Sequence, residues 1–231
     1  MQLITIHQPN YMPWPGFFHK WLLADTFVVL DTVQYHKNEW QNRNRIKTIQ
    51  GAQWITVPVT YRFPQLIHEV GIAPSNWAKK QIASIEQAYT KAPFFNDYWQ
   101  PIKHILLQQH DRLVHLNVAL ITTLGQMVGC TAPLLLASDL PIKQHDPTLR
   151  LIEICKHLHG DAYLSGAEGR NYLQTSLFHD HKLSLYFQHV HPPTYPQLHG
   201  EFIPYLSVLD MLFHVGDDAE SLIRDMGGMV S

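Results

Sequence analysis

Residues 3–31 read LITIHQPNYMPWPGFFHKWLLADTFVVLD, and they predict the class of the fold. The apolar, β-branched run at 3–6 predicts a buried strand, and the three prolines that follow exclude a helix or a central strand directly after it. Residues 17–24 predict a short helix with one apolar side, and residues 27–30 predict a second buried strand. A strand, a helix and a strand in so short a span make a βαβ unit, whose two strands run parallel.

Beyond this unit the sequence predicts a hairpin and then a helical segment. Residues 40–48 and 53–59 flank a turn that contains Gly51, where a positive φ angle is expected. Residues 76–128 are helical in pattern, and we expect Pro93 and Pro101 to separate the helices.

The last part of the chain returns to alternating strands and helices. Short strands are predicted at 134–136, 162–164 and 183–187, a helix is expected to begin at Asp146-Pro147, and a last helix includes residues 206–213. We therefore predict one α/β domain over residues 1–231. Its core is a Rossmann-like, mostly parallel sheet, to which the β-hairpin and the helical insert at about 76–128 are added.

The composition excludes several classes of protein. Seventeen Lys and Arg against nineteen Asp and Glu give a net charge of −2, which argues against a nucleic-acid binder because such proteins usually carry a basic excess. No apolar run approaches the roughly 18 residues that a membrane span needs, so we expect none. Two cysteines do not make a disulfide framework, and we expect a cytoplasmic protein.

His7 and Asp31 each follow a strand of the βαβ unit directly. If the strands are parallel, both side chains lie at the carboxyl edge of the sheet, where open α/β folds bind their ligands. His7 suits a general base or acid, and Asp31 could orient its ring or hold a substrate ammonium group. The alternative is that His7 only satisfies backbone groups of the Pro-rich loop. We favour the catalytic pair.

Residues 41–47, QNRNRIK, are the sharpest local pattern. On a strand, Arg43, Arg45 and Lys47 project from one face together with Gln41. Three neighbouring cations repel one another unless an anion lies over them, so this face predicts recognition of a phosphate, pyrophosphate or carboxylate group. A solvated edge strand that uses its charges against aggregation is the alternative.

Residues 163–173 predict a strand, a glycine-containing loop and a helix start. Backbone N–H groups of this loop could hold an anion at the helix N-terminus, with Ser165 and Arg170 assisting, although the loop matches neither a Walker A nor a GxGxxG motif. Equally, the loop could be an ordinary turn between a strand and a helix.

Residues 189–199 contain three histidines among prolines and aromatic residues. No third ligand is spaced to complete a zinc site with His189 and His191, so we predict no metal. A rigid pocket wall suits this segment better, with Tyr195 and Gln197 as hydrogen-bonding contacts. Asp210, on the last helix, could face inward and orient a group, or form a structural ion pair.

Taken together, these motifs resemble the WbqC-like protein family over nearly the whole chain. The matching segments are His7-Gln8-Pro9-Asn10-Tyr11, Pro13-Trp14, Gly16-Phe17-Phe18, Lys20, Asp31, Val33-Gln34-Tyr35, residues 41–47, residues 54–59, Tyr163-Leu164-Ser165-Gly166, Tyr195-Pro196-Gln197, Leu206-Ser207 and Leu209-Asp210. The resemblance implies a role in building or modifying bacterial surface polysaccharides such as O-antigen or capsule.

Residues from these segments form our set of expected contacts to a small-molecule or carrier-linked, phosphate-bearing substrate. They are Gln8, Asn10, Tyr11, Gln34, Arg43, Asn44, Arg45, Lys47, Ser165, Gly166, Tyr195 and Gln197.

Three functional hypotheses follow. The first is a transferase that moves an acyl or aminoacyl group onto the amine of an activated amino sugar, with His7 as base and no cofactor. The second is a nucleotidyltransferase or adenylate-forming ligase similar to the HIGH-type enzymes, which would use ATP and Mg²⁺ and in which His19 would be the second histidine. The third is a non-catalytic scaffold that binds a sugar nucleotide or a carrier-linked intermediate.

Overall fold

A computed structural model describes residues 1–231. Its ten strands are β1 (Leu3–His7), β2 (Thr26–Val29), β3 (Arg43–Thr48), β4 (Gly51–Thr56), β5 (Val59–Thr60), β6 (Gly71–Ile72), β7 (Leu134–Leu136), β8 (Ala162–Ser165), β9 (Ser184–Val190) and β10 (Gly227–Val230). Its eight α-helices are α1 (Pro15–Leu23), α2 (Trp77–Tyr89), α3 (Phe95–Leu107), α4 (Leu113–Met127), α5 (Pro147–His157), α6 (Thr175–Asp180), α7 (Val208–Val215) and α8 (Asp218–Arg224).

The central sheet has six strands in the order β10-β9-β8-β1-β2-β7. β1 pairs in parallel with both β2 and β8, and β7 and β9 extend the parallel sheet on either side. Only β10 runs antiparallel, next to β9 at the edge. The predicted α/β class with a mostly parallel sheet is therefore confirmed, and β10 is an edge strand that the sequence pattern did not indicate.

Helices cover both faces of this sheet, as a parallel sheet requires. A large core of 39 buried residues joins α1, the insert helices and α7 to one face, and includes Phe27 and Val29 of β2. A second core joins α5 and α6 to the other face through Ile4, Ile6 and Val28. Val28 enters one core and its neighbours Phe27 and Val29 enter the other, because successive side chains of a strand point to opposite faces of the sheet.

Three helices, α2 to α4, form the insert predicted at 76–128. Pro93 lies between α2 and α3 as expected, but the prediction for Pro101 was wrong, because this residue lies inside α3. A proline within a helix frees the carbonyl group four residues earlier. Here that residue is Asp97, and both it and Pro101 are exposed, so water can hydrogen-bond the freed carbonyl. The chain leaves α3 only after Leu107.

The predicted hairpin is formed by β3 and β4, which pair antiparallel with Arg43 opposite Thr56 and Arg45 opposite Trp54. Gly51 has a φ angle of +99°, the conformation expected at this turn. Both strands are shorter than predicted, and the second ends before Pro58, which cannot donate a backbone hydrogen bond.

Candidate functional site

The order of the strands creates a topological switch point, here called the crevice, between His7 at the carboxyl end of β1 and Ser165 at the carboxyl end of β8. From β1 the chain crosses through α1 to β2, and from β8 it crosses through α6 on the opposite face to β9, away from β1. The two connections therefore diverge between β1 and β8, and open α/β sheets bind ligands at such a switch point. His7 ends one of these strands and Ser165 the other.

His7 presents a free ring nitrogen at this edge. Its ring packs edge-on against Phe17 of α1, with centroids 4.8 Å apart. Its Nδ1 lies 2.9 Å from the carbonyl oxygen of Gln8, and because a carbonyl only accepts, Nδ1 carries the proton. The other ring nitrogen, Nε2, has no partner in the chain and is absent from the buried unpaired atoms, so it reaches solvent with a free lone pair.

The charge state of His7 follows from its surroundings. Burial, and secondly the charge of Lys20, lower the pKa of His7 to about 3. The ring is therefore neutral throughout the physiological range, and Nε2 acts as a base or as a hydrogen-bond acceptor.

Lys20, which the motif analysis did not single out as functional, lies behind His7. It is 2% exposed, its Nζ donates to the carbonyl oxygen of Ile6 at 3.0 Å, and no carboxylate lies within 4 Å of it. Desolvation lowers the pKa of Lys20 to about 7. The sequence did contain a signal, since a lysine interrupts the otherwise apolar side of α1.

Asp31 has partners other than His7. Its carboxylate accepts from the backbone N–H of Ser138 at 2.9 Å and from the hydroxyl of the same residue at 2.7 Å, and it makes no hydrogen bond to His7. Both residues follow neighbouring parallel strands, as expected, but the idea that Asp31 orients the His7 ring is wrong. Asp31 joins the end of β2 to the turn after β7, because Ser138 offers two donors directly to a fully buried carboxylate.

Gln8 joins the crevice to the segment before the hairpin. Its Oε1 accepts from Nε2 of Gln41 at 2.5 Å, and Asn117 of α4 donates to the backbone oxygens of Pro9 and Gln41. These contacts fix the loop after β1 against both the hairpin and the insert.

Other candidates near this loop have structural partners. The Tyr11 hydroxyl donates to Gln81 at 2.6 Å, and Asn44 donates to the backbone oxygens of Tyr11 and Met12. Gln34 forms an isolated β-bridge with Leu66. Asn10 is buried and has no side-chain hydrogen bond. We therefore assign Tyr11 and Asn44 to holding the loop rather than to the substrate.

The cationic strand divides into two parts. Arg43 and Arg45 are partly exposed and lie over the ring of Trp54, with guanidinium carbons 4.3 Å and 5.7 Å from its centroid. Neither has a carboxylate within 4 Å. Lys47, by contrast, is 1% exposed and its Nζ donates to Gln197 and to the backbone oxygens of Gly200 and Glu201. The expectation that Lys47 forms a common anion-binding face with the arginines is wrong, because the loop at 197–201 covers it.

Tyr195 and Gln197 belong to a buried network around Asp210. The carboxylate of Asp210 accepts from the hydroxyls of Tyr89 and Tyr195, both at 2.9 Å, and from Nε2 of Gln197 at 2.7 Å. Burial raises the pKa of this carboxyl. The polar groups that we expected to contact substrate hold the carboxylate instead, because Asp210 is fully buried and requires donors.

The loop after β8 differs from the expected helix start. A five-residue 3₁₀ helix, Ala167–Asn171, follows Gly166, and α6 begins only at Thr175. Ser165 is buried, and its hydroxyl oxygen would lie 2.0 Å from a Cβ added at Gly169, so it points into the fold. Arg170 lies over the ring of Phe187. Anion binding by Ser165 and Gly166 stays a prediction.

Unpaired buried polar atoms are concentrated in the segment from Tyr35 to Arg45. Of the eight such side-chain atoms in the chain, five lie between positions 35 and 45, on Tyr35, Gln41, Asn42, Arg43 and Arg45. Buried polar groups normally have partners, so this concentration indicates a place where bound solvent or ligand completes the hydrogen bonding.

Other chemistries find little support in the geometry. His19 is fully buried and accepts from Gln188 at 2.9 Å, so it cannot serve as the second histidine of a HIGH-type site. Both cysteines are buried, which raises the pKa of each thiol and suppresses its reactivity. No group of three or more His, Cys, Asp or Glu side chains is arranged to hold a metal ion.

No helix has the length and apolar character to cross a membrane.

Comparison with known proteins identifies the family of the chain. An uncharacterized protein of Mycobacterium tuberculosis, Rv1507c, is 36% identical over 230 residues, which cover 97% of this chain and 98% of that protein. No solved structure matches. The model of the WbqC-like protein family matches residues 8–222, a span that begins directly after His7 and includes both arginines and the Asp210 network. The resemblance drawn from the motifs is therefore confirmed, and the chain belongs to the WbqC-like protein family.

Proposed function

We propose that the protein transfers an acyl or aminoacyl group onto the amine of a phosphate-activated amino sugar. The observation that carries this proposal is the free Nε2 of His7, which lies at the switch point of a parallel sheet. The carbonyl oxygen of Gln8 sets the tautomer of the ring. The family resemblance favours a place in bacterial surface-polysaccharide synthesis, and the two free cysteines fit the reducing cytoplasm, where such sugars would be met.

In the proposed reaction, the amine nitrogen of the sugar attacks the carbonyl carbon of an acyl thioester. His7 Nε2 takes the proton that the nitrogen loses, a C–N bond forms, and the C–S bond breaks to release the thiol. The proton passes from His7 to the departing sulfur, and the low basicity of this imidazole favours its release. No covalent intermediate with the protein is required, which agrees with the burial of both cysteines.

Cations on the hairpin and behind His7 favour a phosphate-bearing substrate. Arg43 and Arg45 have no carboxylate partner, and neither has Lys20 behind His7. Arginine binds phosphate groups in a bidentate geometry, so the two arginines are suited to the activating group of the sugar.

The test is a transfer assay that measures release of free thiol from short-chain acyl-coenzyme A in the presence of nucleotide-linked amino sugars. We expect release to depend on both substrates and to fall about 100-fold or more in His7→Ala, the usual contribution of a general base. Lys79→Met, a change at an exposed position of α2, is the control. Full activity in His7→Ala would refute the role of His7. Binding of the sugar without any transfer across the panel would favour the scaffold function instead.

A further inference from the structure

The hairpin and the segment just before it carry an exposed aromatic pair. Trp40 and Trp54 are 41% and 44% exposed, and no other tryptophan of the chain is exposed. Their ring centroids are 5.4 Å apart and the rings are tilted by 38°. Leaving two indoles in water forfeits the burial that drives folding, so an exposed pair of this kind marks a binding surface.

Two positively charged side chains, Arg43 and Arg45, lie beside this pair of tryptophans. Arg43 lies over the Trp54 ring at stacking distance and Arg45 lies somewhat farther from the same ring. The Nε atom of each guanidinium group is buried and has no hydrogen-bond partner. The surface thus presents flat apolar rings and unneutralised cations side by side.

Direct contacts join this surface to the loop that follows His7. The backbone oxygen of Trp40 accepts from the N–H of Tyr11 at 2.8 Å, and Gln41 donates to Gln8. A ligand on the tryptophans is therefore held by the same part of the chain that positions the crevice.

We infer that Trp40, Trp54, Arg43 and Arg45 bind a nucleoside diphosphate, with its base on the indole rings and its pyrophosphate on the guanidinium groups. This inference rests on the proposed function and specifies how its substrate is activated. Aromatic side chains stack on any nucleobase, and neighbouring cations neutralise the phosphates. The guanidinium groups of Arg43 and Arg45 donate to the backbone oxygens of Asn38 and Tyr205, but neither has an anionic partner. A neutral sugar would use the rings but leave both positive charges without an anion, which is why we favour a nucleotide over a plain carbohydrate.

Isothermal titration calorimetry on the full chain tests this inference with four probes: uridine diphosphate, adenosine diphosphate, inorganic pyrophosphate and N-acetylglucosamine. We expect both nucleotides to bind. Trp54→Leu should weaken their binding about 10-fold to 100-fold while leaving pyrophosphate binding unchanged. Arg43→Gln should weaken nucleotides and pyrophosphate alike. Phe63→Leu, at a 76% exposed aromatic residue outside the surface, is the matched control, and thermal melting verifies that each variant is folded.

Three results would overturn the inference: no nucleotide binding, equal nucleotide affinity in Trp54→Leu, or N-acetylglucosamine bound as tightly as uridine diphosphate. The last of these would identify a carbohydrate surface. Failure of this inference is distinguishable from failure of the proposed function. Thiol release that depends on His7, with nucleotide affinity indifferent to Trp54, would refute only the surface. Nucleotide binding through Trp54 without any transfer would support the surface and refute only the transferase.

Discussion

Replacing Lys20 with methionine should stabilise the protein at neutral pH and lose that advantage as the pH rises. The methionine keeps most of the apolar stem but removes a buried charge that has no carboxylate within 4 Å. Burial lowers the pKa of Lys20 from 10.5 to about 7 in the folded protein. At 1.36 kcal/mol per pKa unit, the charged lysine costs the fold about 5 kcal/mol at low pH.

The net effect is smaller, because the substitution leaves the carbonyl oxygen of Ile6 without its donor, which costs about 1–3 kcal/mol. We therefore expect Lys20→Met to raise the free energy of unfolding by about 2–4 kcal/mol at pH 6.5. Between pH 7 and 10.5 the unfolded chain holds more protons at this position than the folded chain, so the stability of the wild type rises with pH. The advantage of the variant should shrink by about 2–3 kcal/mol between pH 6.5 and 9.

Urea denaturation of the wild type and the variant at pH 6.5, 7, 8 and 9 measures this difference. Lys79→Met, at an exposed position, is the control, and its difference from the wild type should not change over the same range. A stability difference for Lys20→Met that is independent of pH, or one that grows toward pH 9, would show that Lys20 is not a buried charge with a lowered pKa.

Three further predictions concern stability. Asp31→Ala should lower the free energy of unfolding by about 2–4 kcal/mol in urea denaturation, because both donors of Ser138 lose their acceptor. Nucleotide affinity should not change in this variant. Unchanged stability would contradict the prediction. Asp210→Ala should destabilise the chain by about 3–5 kcal/mol, since three buried donors lose a shared acceptor. A melting temperature within a degree of the wild type would exclude a structural role for the Asp210 carboxylate. Gly51→Val should cost about 1–2 kcal/mol because a β-branched residue is strained at φ +99°, and an unaltered chemical-denaturation midpoint would count against it.

What the sequence predicted well depends on local pattern. The βαβ unit is recognisable because strand and helix periodicities lie within thirty residues, and the position of His7 at a strand end follows from that periodicity alone. The hairpin is recognisable from its glycine turn for the same reason.

What the sequence could not predict depends on distant contacts. Asp31 meets Ser138 across 107 positions, and Lys47 meets Glu201 across 154, so neither partner is visible in a local motif. Lys20 was missed because one lysine on an apolar helix side does not reveal that its amine ends at the carboxyl edge of β1. The prediction that Pro101 separates two helices was wrong, because only the folded chain shows that its side of α3 faces water.

The Asp210 network holds the hairpin in position. Through Tyr89, whose hydroxyl accepts from the backbone N–H of Lys47, one carboxylate ties the hairpin to the insert, to the loop at 195–197 and to α7. The strand that carries Arg43 and Arg45 is thereby immobilised before any ligand arrives. A nucleotide that binds as proposed would then cost little backbone conformational entropy, and its affinity would come from preorganisation rather than from an induced rearrangement.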